Sequence, residues 1–449
     1  MTNGKTPIRQ NKAIKLSIIT QFFPPDYAAT GQLIEGLSMQ LGQLGLPVQV
    51  FTGQPGYAFQ KKSAPAIEHL DGVTIRRSRS SRLWPKRIRG KAVNGLLFCV
   101  RSALHLLRTR SRGDVLLVTT APPFLAIVGY LANKFFGLPY VCLLYDLYPD
   151  IAVELNVVSN QHWLVRLWDG LNRKIWNRAQ QLIVLSSTMK DRVVAKCPEV
   201  KDKVTVIHNW ADPNQIAPIA KQDNWFAKEF NLADTFTVLY SGNLGRCHDA
   251  DTILEAAKLL KDEAIQFVFI GNGAKRQAFR TEASRLGLNN CKFLPYQDKQ
   301  NLPYSLTACD LSLVSVSPDM EGLVAPSKLY AALAAGRPIA VICEQHSYLQ
   351  TLVNDACCGE AFRNGDAAGL ADFIRRLAAD AQLVQQMGQA GRHYMQSNFT
   401  PEVIAKQYSK VLHEAAHKQV SHEPPVSTEL SPCPRAVPRV TSQSVPLGK

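Results

Sequence analysis

The sequence predicts an α/β protein of two doubly wound parallel-sheet halves facing a cleft. Three observations carry that reading. Short apolar runs alternate with helix-period segments through the first half, at 16–20, 48–52, 114–119, 140–145, 181–185 and 204–207, with a helix over 32–44. The same grammar restarts at 236–240, 266–270, 291–294, 310–316 and 338–342. Between them lies a polar stretch, 209–223, with two prolines and little periodicity. Strands alternating with helices pair in parallel, each helix crossing over to the next strand. Two Rossmann-like halves joined by a hinge take ligand in the cleft between them, at the carboxyl ends of the strands.

The expected organisation is an N-terminal tail (1–15), a first half (16–208), a hinge (209–223) and a second half (224–398). A last helix (399–416) packs back on the first half, and a tail (417–449) with six prolines is expected to be disordered. The 449 residues suffice for two or three domains, each with its own core. A hydrophobic fraction of 46% and a charged fraction of 19% are those of a soluble globular chain. The ten cysteines form no CxxC, which excludes a zinc site or disulfide frame and points to buried thiols in a reducing compartment. The first 15 residues are polar, so no signal peptide is expected. The apolar stretch 121–145 is broken by Asn133, Lys134 and Pro139 and reads as helix, turn and buried strand, not a membrane span.

Net charge is +15, and it is local. Twelve Lys or Arg and no acid lie in 72–113, leaving +3 for the rest. From Lys91 the segment reads as an amphipathic helix. Asn94, Arg101, His105 and Arg108 share one face, and Leu96, Leu97, Val100, Leu104 and Leu107 lie opposite. Aromatics are sparse, with only Trp84 in the basic loop, so nucleic acid is not the expected partner. An anionic membrane surface is, through Arg76, Arg77, Arg79, Arg82, Lys86 and Arg87.

Five loops could carry chemistry. "QFFPPDYAATGQL" puts Gly31 at a helix start, which fits either a tight turn or an anion site; it is not GxGxxG. "YSGNLGRCHDADTILEAA" offers Gly242, Asn243, Gly245 and Arg246 as a phosphate cradle. Its Asp249 and Asp251 open a helix, so capping explains them and no metal is expected. "VFIGNGAKR" places Gly271 and Gly273 in a turn between strand and helix. "LLYDLYPD" delivers Asp146 and Asp150 to a strand end, as proton acceptor or sugar ligand on one reading and as cap and surface acid on the other. "EGLVAPSKLY" brings Glu321, Ser327 and Lys328 to the entrance of a helix, a set suited to hydroxyls and a diphosphate. No Ser/His/Asp set or HExxH is present.

Together with "VIHNWAD" and "FLPYQDKQNLPYSLTACDLSLV", these motifs in this order resemble the family 4 glycosyltransferases, retaining nucleotide-sugar enzymes of the GT-B fold. "DLYPD" and "PSKLY" are similar to the branch that builds O-antigen and capsule glycans, including N-acetylfucosaminyl transferases. The resemblance implies an acceptor half followed by a donor half. It places the Gly31 loop at the donor phosphates and reacting sugar, and Gly242 to Arg246 with Ser327 and Lys328 at the diphosphate. Gly271, Gly273, Tyr296 and Gln297 would lie along the nucleoside, Glu321 at the sugar hydroxyls, and Asp146 near the acceptor and anomeric carbon.

The sequence departs from the family where a basic pair is usual, at Asn243 and His248. Where a second Glu is usual, Leu329 or Ala331 stands. The implied function is transfer of a hexosyl or N-acetylhexosaminyl group from a nucleotide-sugar, UDP-linked, to a lipid-linked glycan at the inner face of the cytoplasmic membrane. The donor is a substrate, and no cofactor is expected. The alternatives are a nucleotide-sugar epimerase of the same fold and a non-catalytic sugar-nucleotide-binding protein.

Overall fold

A computed structural model describes residues 14–26, 28–55, 64–79 and 88–417. The tail 418–449, Trp84 and the basic residues Arg82, Lys86 and Arg87 lie outside the described residues.

Eight strands of the first half run β1 Leu16–Ile19, β2 Val48–Thr52, β3 Ile67–Leu70, β4 Val73–Arg77, β5 Val115–Thr119, β6 Tyr140–Leu144, β7 Gln181–Val184 and β8 Val204–Val206. Six follow in the second: β9 Phe236–Ser241, β10 Ile265–Ile270, β11 Cys291–Leu294, β12 Leu311–Ser315, β13 Ile339–Ile342 and β14 Gly359–Phe362. The first half carries helices α1 Ala29–Gln43, α2 Ile88–Leu107, α3 Ala126–Phe136, α4 Asp150–Glu154, α5 Trp163–Arg178 and α6 Ser187–Lys196. The second carries α7 Trp225–Glu229, α8 Asp251–Leu259, α9 Arg276–Arg285, α10 Leu302–Thr307, α11 Lys328–Ala334, α12 Tyr348–Asp355, α13 Ala367–Ala379 and α14 Ala381–Asn398. A final helix, α15 Pro401–His417, packs on α1, β5 and β6.

The first sheet is ordered β3-β4-β2-β1-β5-β6-β7-β8 and the second β11-β10-β9-β12-β13-β14. All pairings are parallel except that of the edge strand β3 with β4. The central strands are buried on both faces, which is why they read as unbroken apolar runs. Strand order reverses between β1 and β5 in one sheet and between β9 and β12 in the other. A ligand crevice forms where neighbouring crossovers diverge to opposite faces.

The halves are not separate bodies. Residues 14–417 fall in one compact unit, and Val314, Leu329 and Tyr330 share a core with Leu144, Ile183 and Ile207. The connector is tied to the second half. Arg392 donates to the carbonyls of Pro213 (3.0 Å) and Ile216 (2.8 Å), and Lys221 pairs with Asp310 (2.7 Å).

Two expectations for the basic segment are corrected. Arg77 is no surface contact: it is buried, pairs with Glu68 at 2.7 Å and donates to the carbonyls of Pro65 and Pro24. The reason is strand parity. In β4 the side chains of Val73, Ile75 and Arg77 point inward, and those of Thr74 and Arg76 point out. His105 leaves the polar face assigned to it. It stacks on Phe51 at 4.1 Å, and desolvation, then the charges of Arg76 and Arg108, lower its pKa to about 4.

Candidate active site

The loop after β9 and the loop between β12 and α11 flank the reversal point of the second sheet. The first turns on Gly242, with φ +125°. Its amide donates to the carbonyl of Ile270 (2.8 Å), and the Leu244 amide to that of Asn272 (2.7 Å). The loop therefore lies flat on 271–273. A Cβ on Gly271 would come within 2.3 Å of the Gly242 oxygen, and one on Gly273 within 2.3 Å of the Leu244 oxygen. Both also hold positive φ, +126° and +145°. These glycines are demanded by backbone packing, which a local reading of a turn could not reveal.

Lys328 is the first residue of α11. Its ammonium donates to the Tyr240 hydroxyl and lies 3.9 Å from the centre of that ring, with its Cε 3.7 Å from a Cβ position on Gly242. No carboxylate pairs with it among the described residues, and burial lowers its pKa to about 7. The neighbouring His248 accepts from the Gly245 amide at 3.1 Å. Desolvation, then the charges of Lys328 and Lys275, push its pKa to about 3, so it stays neutral. Lys275 donates to the His248 carbonyl at 2.7 Å, and Arg246 is exposed on the same loop. Four groups of this cluster, Tyr240, His248, Lys275 and Lys328, come from three different strand ends. Sequence reasoning named only Lys328 as a ligand.

Asp249 is occupied structurally. Its oxygens accept from the Thr252 amide (3.0 Å), the Thr252 hydroxyl (2.7 Å) and Asn364 (2.7 Å), which anchors the start of α8. Gly31 is buried, and its Cβ position lies 3.1 Å from the Phe22 and Phe23 backbone, so the loop after β1 closes on α1. Tyr296 is half exposed after β11 and close enough to Tyr240 to act on its titration. Gln297 donates to the Pro295 carbonyl at 3.1 Å. Ser327 precedes α11 without capping it.

The other wall comes from the first half. Asp146 follows β6 and bridges to Val324, while the Leu147 amide donates to the Leu323 carbonyl at 3.1 Å. Burial raises the Asp146 pKa to about 6, and its charge reaches Cys247 on the loop after β9. Glu321 is 1% exposed and accepts from the Thr188 hydroxyl at 2.6 Å; Arg192 donates to its carbonyl at 3.1 Å. Thr188 and Arg192 both lie on α6. A Cβ on Gly322 would come within 2.7 Å of the Thr188 carbonyl, so only glycine lets this loop sit on α6. Asp150 is held apart from this group in a salt bridge to Lys196 at 2.7 Å. The side chains missed from sequence, Tyr240, Thr188, Arg192 and Lys275, left no local signal because their partners are distant in the chain.

Two adjacent doubly wound sheets with a cationic cluster at the reversal point of the second define a GT-B architecture. The comparisons agree. The model for a glycosyl transferase 4-like domain matches residues 29–210, and that for glycosyl transferases group 1 matches 221–394. WbjE of Pseudomonas aeruginosa, named as a glycosyltransferase, is 28% identical over 303 residues, 66% of this chain and 74% of its own. WcaI of Escherichia coli K12, whose name assigns it to colanic acid biosynthesis, is 24% identical over 402 residues, 84% and 94% of the two chains. Among solved structures, sucrose-phosphate synthase of Thermosynechococcus elongatus superposes with a TM-score of 0.72 at 19% identity, covering 88% of this chain and 98% of its own. HepE of Anabaena, solved with UDP and glucose, gives 0.67 at 17%, covering 89% and 99%. The chain belongs to the glycosyltransferases of GT-B fold.

Proposed function

We propose that the chain moves a hexosyl or N-acetylhexosaminyl group, with retention, from a UDP-linked donor to a lipid-linked or other cell-surface glycan at the inner face of the cytoplasmic membrane. One observation carries the reading: Lys328, a partly buried cation without a carboxylate partner, faces the backbone of Gly242 at the reversal point. A diphosphate supplies the charge this place lacks. Lys328 and Arg246 would stabilise it as it leaves, where a preorganised cation acts in a poorly solvated crevice. Asp146 stands across the cleft on the acceptor side. Attack on the same face, with the leaving phosphate taking the acceptor proton, requires no nucleophile from the protein. HepE's complex with UDP and glucose supports the donor class. The names of WcaI and of LpsD from Rhizobium meliloti, a lipopolysaccharide core glycosyltransferase, support a surface-glycan acceptor. No helix among the described residues is long and apolar enough to cross a membrane, so a lipid-linked acceptor would be met from outside the bilayer.

The test is a donor screen by thermal shift with UDP-, GDP- and TDP-sugars, followed by transfer to a glycolipid extract. Lys328→Ala with Arg246→Ala should lower transfer at least about tenfold, since a charge-assisted contact is worth about 1.5–3 kcal/mol. Near-normal transfer by that double variant refutes the site. Epimerisation of the donor without acceptor, or binding with no turnover, would replace the reading by one of its two alternatives.

A further inference from the structure

Helix α2 is apolar on two sides. Phe98, Cys99, Ser102 and Leu106 face the sheet, while a second apolar set stands on the opposite side. Leu96, Val100, Leu104 and Leu107 are each at least half exposed at helical spacing. The pattern continues sideways. α3 packs on α2, and α5 on α3, so the three helices form one layer over the sheet. Phe135 on α3 is 68% exposed and Trp163 on α5 is 65% exposed. Arg112 ties the layer together. Its guanidinium lies 3.6 Å from the Phe136 ring centre and donates to the Leu106 (2.7 Å) and Leu107 (2.9 Å) carbonyls. Eleven of the seventeen exposed large apolar side chains among the described residues are on these three helices, so the face is a concentration and not ordinary scatter.

Charge says what covers it. Between Gly72 and Tyr145 there are thirteen Lys or Arg and a single acid, Asp114, which accepts from the Lys15 amide at 2.7 Å. Arg108, Arg110 and Lys134 are exposed beside the apolar stripe. On α5, Arg166, Arg173 and Lys174 are exposed, while Asp169 is paired with Lys196. A second copy of the chain seated here would set cations against cations. A bilayer with anionic headgroups satisfies both features at once: apolar side chains insert at the headgroup boundary and cations stay at the surface.

We infer that the chain docks on an anionic lipid bilayer through the outward face of α2, α3 and α5, with apolar insertion as the main contact. The inference rests on the lipid-linked acceptor proposed above and moves the contact away from the arginines of β4. Each crossover helix begins at the carboxyl end of a strand, so the face borders the cleft at its upper edge. A bilayer there would present a lipid-linked acceptor beside the site.

The test uses the full chain with vesicles of phosphatidylglycerol and phosphatidylethanolamine, and phosphatidylcholine vesicles as control. Wild type should bind the anionic vesicles, with partial loss in high salt, and its tryptophan emission should shift to the blue; Trp163→Phe should remove most of that shift. The variant carrying Leu96→Ser, Val100→Ser, Leu104→Ser and Phe135→Ser changes only exposed positions. It should keep the wild-type circular dichroism and bind about tenfold or more weaker, as expected for lost apolar insertion. Arg76→Ser with Arg79→Ser should weaken binding less. Unchanged binding by the four-residue variant overturns the proposal, as does a wild-type dimer that this variant converts to monomer. Wild type that ignores vesicles but transfers sugar to a soluble acceptor overturns the docking and leaves the proposed function standing. Vesicle binding without turnover of any nucleotide-sugar does the reverse.

Discussion

Lys328 gives a test in which stability and function move in opposite directions. Its ammonium is desolvated beside Tyr240, which lowers its pKa from 10.5 to about 7. In the unfolded chain the lysine holds its proton to about 10.4. The sign follows. Between pH 7 and 10 the unfolded chain binds the extra proton, so stability rises with pH, and the burial cost is fully present below about 7. Lys328→Met removes that cost, and the Tyr240 hydroxyl keeps its bond to the Asn243 carbonyl at 3.2 Å. The variant should therefore melt higher than wild type at pH 6, with the advantage shrinking toward pH 10. Donor binding should go the other way. A diphosphate beside the ammonium restores its pKa, so binding takes up a proton above pH 7. Affinity should be flat below about 7 and then fall up to tenfold per pH unit, or roughly 30-fold by pH 8.5. A nucleotide-sugar is the right probe, because its diphosphate does not titrate near neutrality. Calorimetry in buffers of different ionisation enthalpy counts the proton directly. A wild type with no proton uptake at pH 8, or a Lys328→Met variant that keeps both the slope and the affinity, refutes the assignment.

Two further outcomes are expected. Burial raises the Asp146 pKa from 3.8 to about 6, so the native state holds a proton between those values that the unfolded chain lacks. Stability falls through that window, and the carboxylate costs up to about 3 kcal/mol at pH 7. Asp146→Asn should then stabilise the fold at pH 7, with the gain vanishing below pH 4, while transfer collapses; a less stable and fully active variant refutes this. Thr188→Val leaves the Glu321 carboxylate buried without its hydroxyl donor and should cost about 1–3 kcal/mol in denaturant melts. Glu321→Gln should leave UDP binding within about twofold and depress transfer, and equal losses in both assays would assign Glu321 to the nucleotide or to structure.

The two sheets were legible because parallel strands buried on both faces leave apolar runs that no other element of that length produces. β3, β4 and β14 were not. β3 and β14 are edge strands with burial of alternate or partial kind, and nothing in Ile67–Leu70 or Gly359–Phe362 separates them from loops, while β4 opens the basic run and buries only Val73, Ile75 and Arg77. Helix α2 was read with the correct period, but the period cannot say which face meets the sheet. Gly95 packs on Pro122, with 3.0 Å from its Cβ position to the ring, and that close approach turns the Gly95 side of the helix inward, with Phe98 and Leu106 buried beside it. Arg77 and Arg76 are adjacent and equally basic, yet strand parity buries one and exposes the other. The site was legible as loops and not as pairs. The Lys328 contact with Tyr240 spans 88 residues and the Thr188 contact with Glu321 spans 133, distances over which composition and spacing carry no information.

What those long-range contacts leave unpaired is the most informative feature of the cleft. Asp146 and Lys328 are both desolvated, and each is shifted by burial without a compensating charge from the other. A fold under pressure for stability alone would bring such a pair together or replace both by apolar residues. Here an acid is fixed on the first half by its bridge to Val324, and a lysine on the second by Tyr240. The protein itself bears the cost of both. Local violations of this kind concentrate where an outside molecule supplies the missing charges. An anion at Lys328 and a proton-bearing or electron-poor centre near Asp146 would relieve both penalties at once, and a donor diphosphate with its departing sugar has that distribution. The double variant Asp146→Asn with Lys328→Met should accordingly gain stability at pH 7 as the sum of the two single gains, because residues that do not sense each other's charge contribute additively. A gain well short of that sum would mean that the two groups already sense each other's charge and that neither is unpaired.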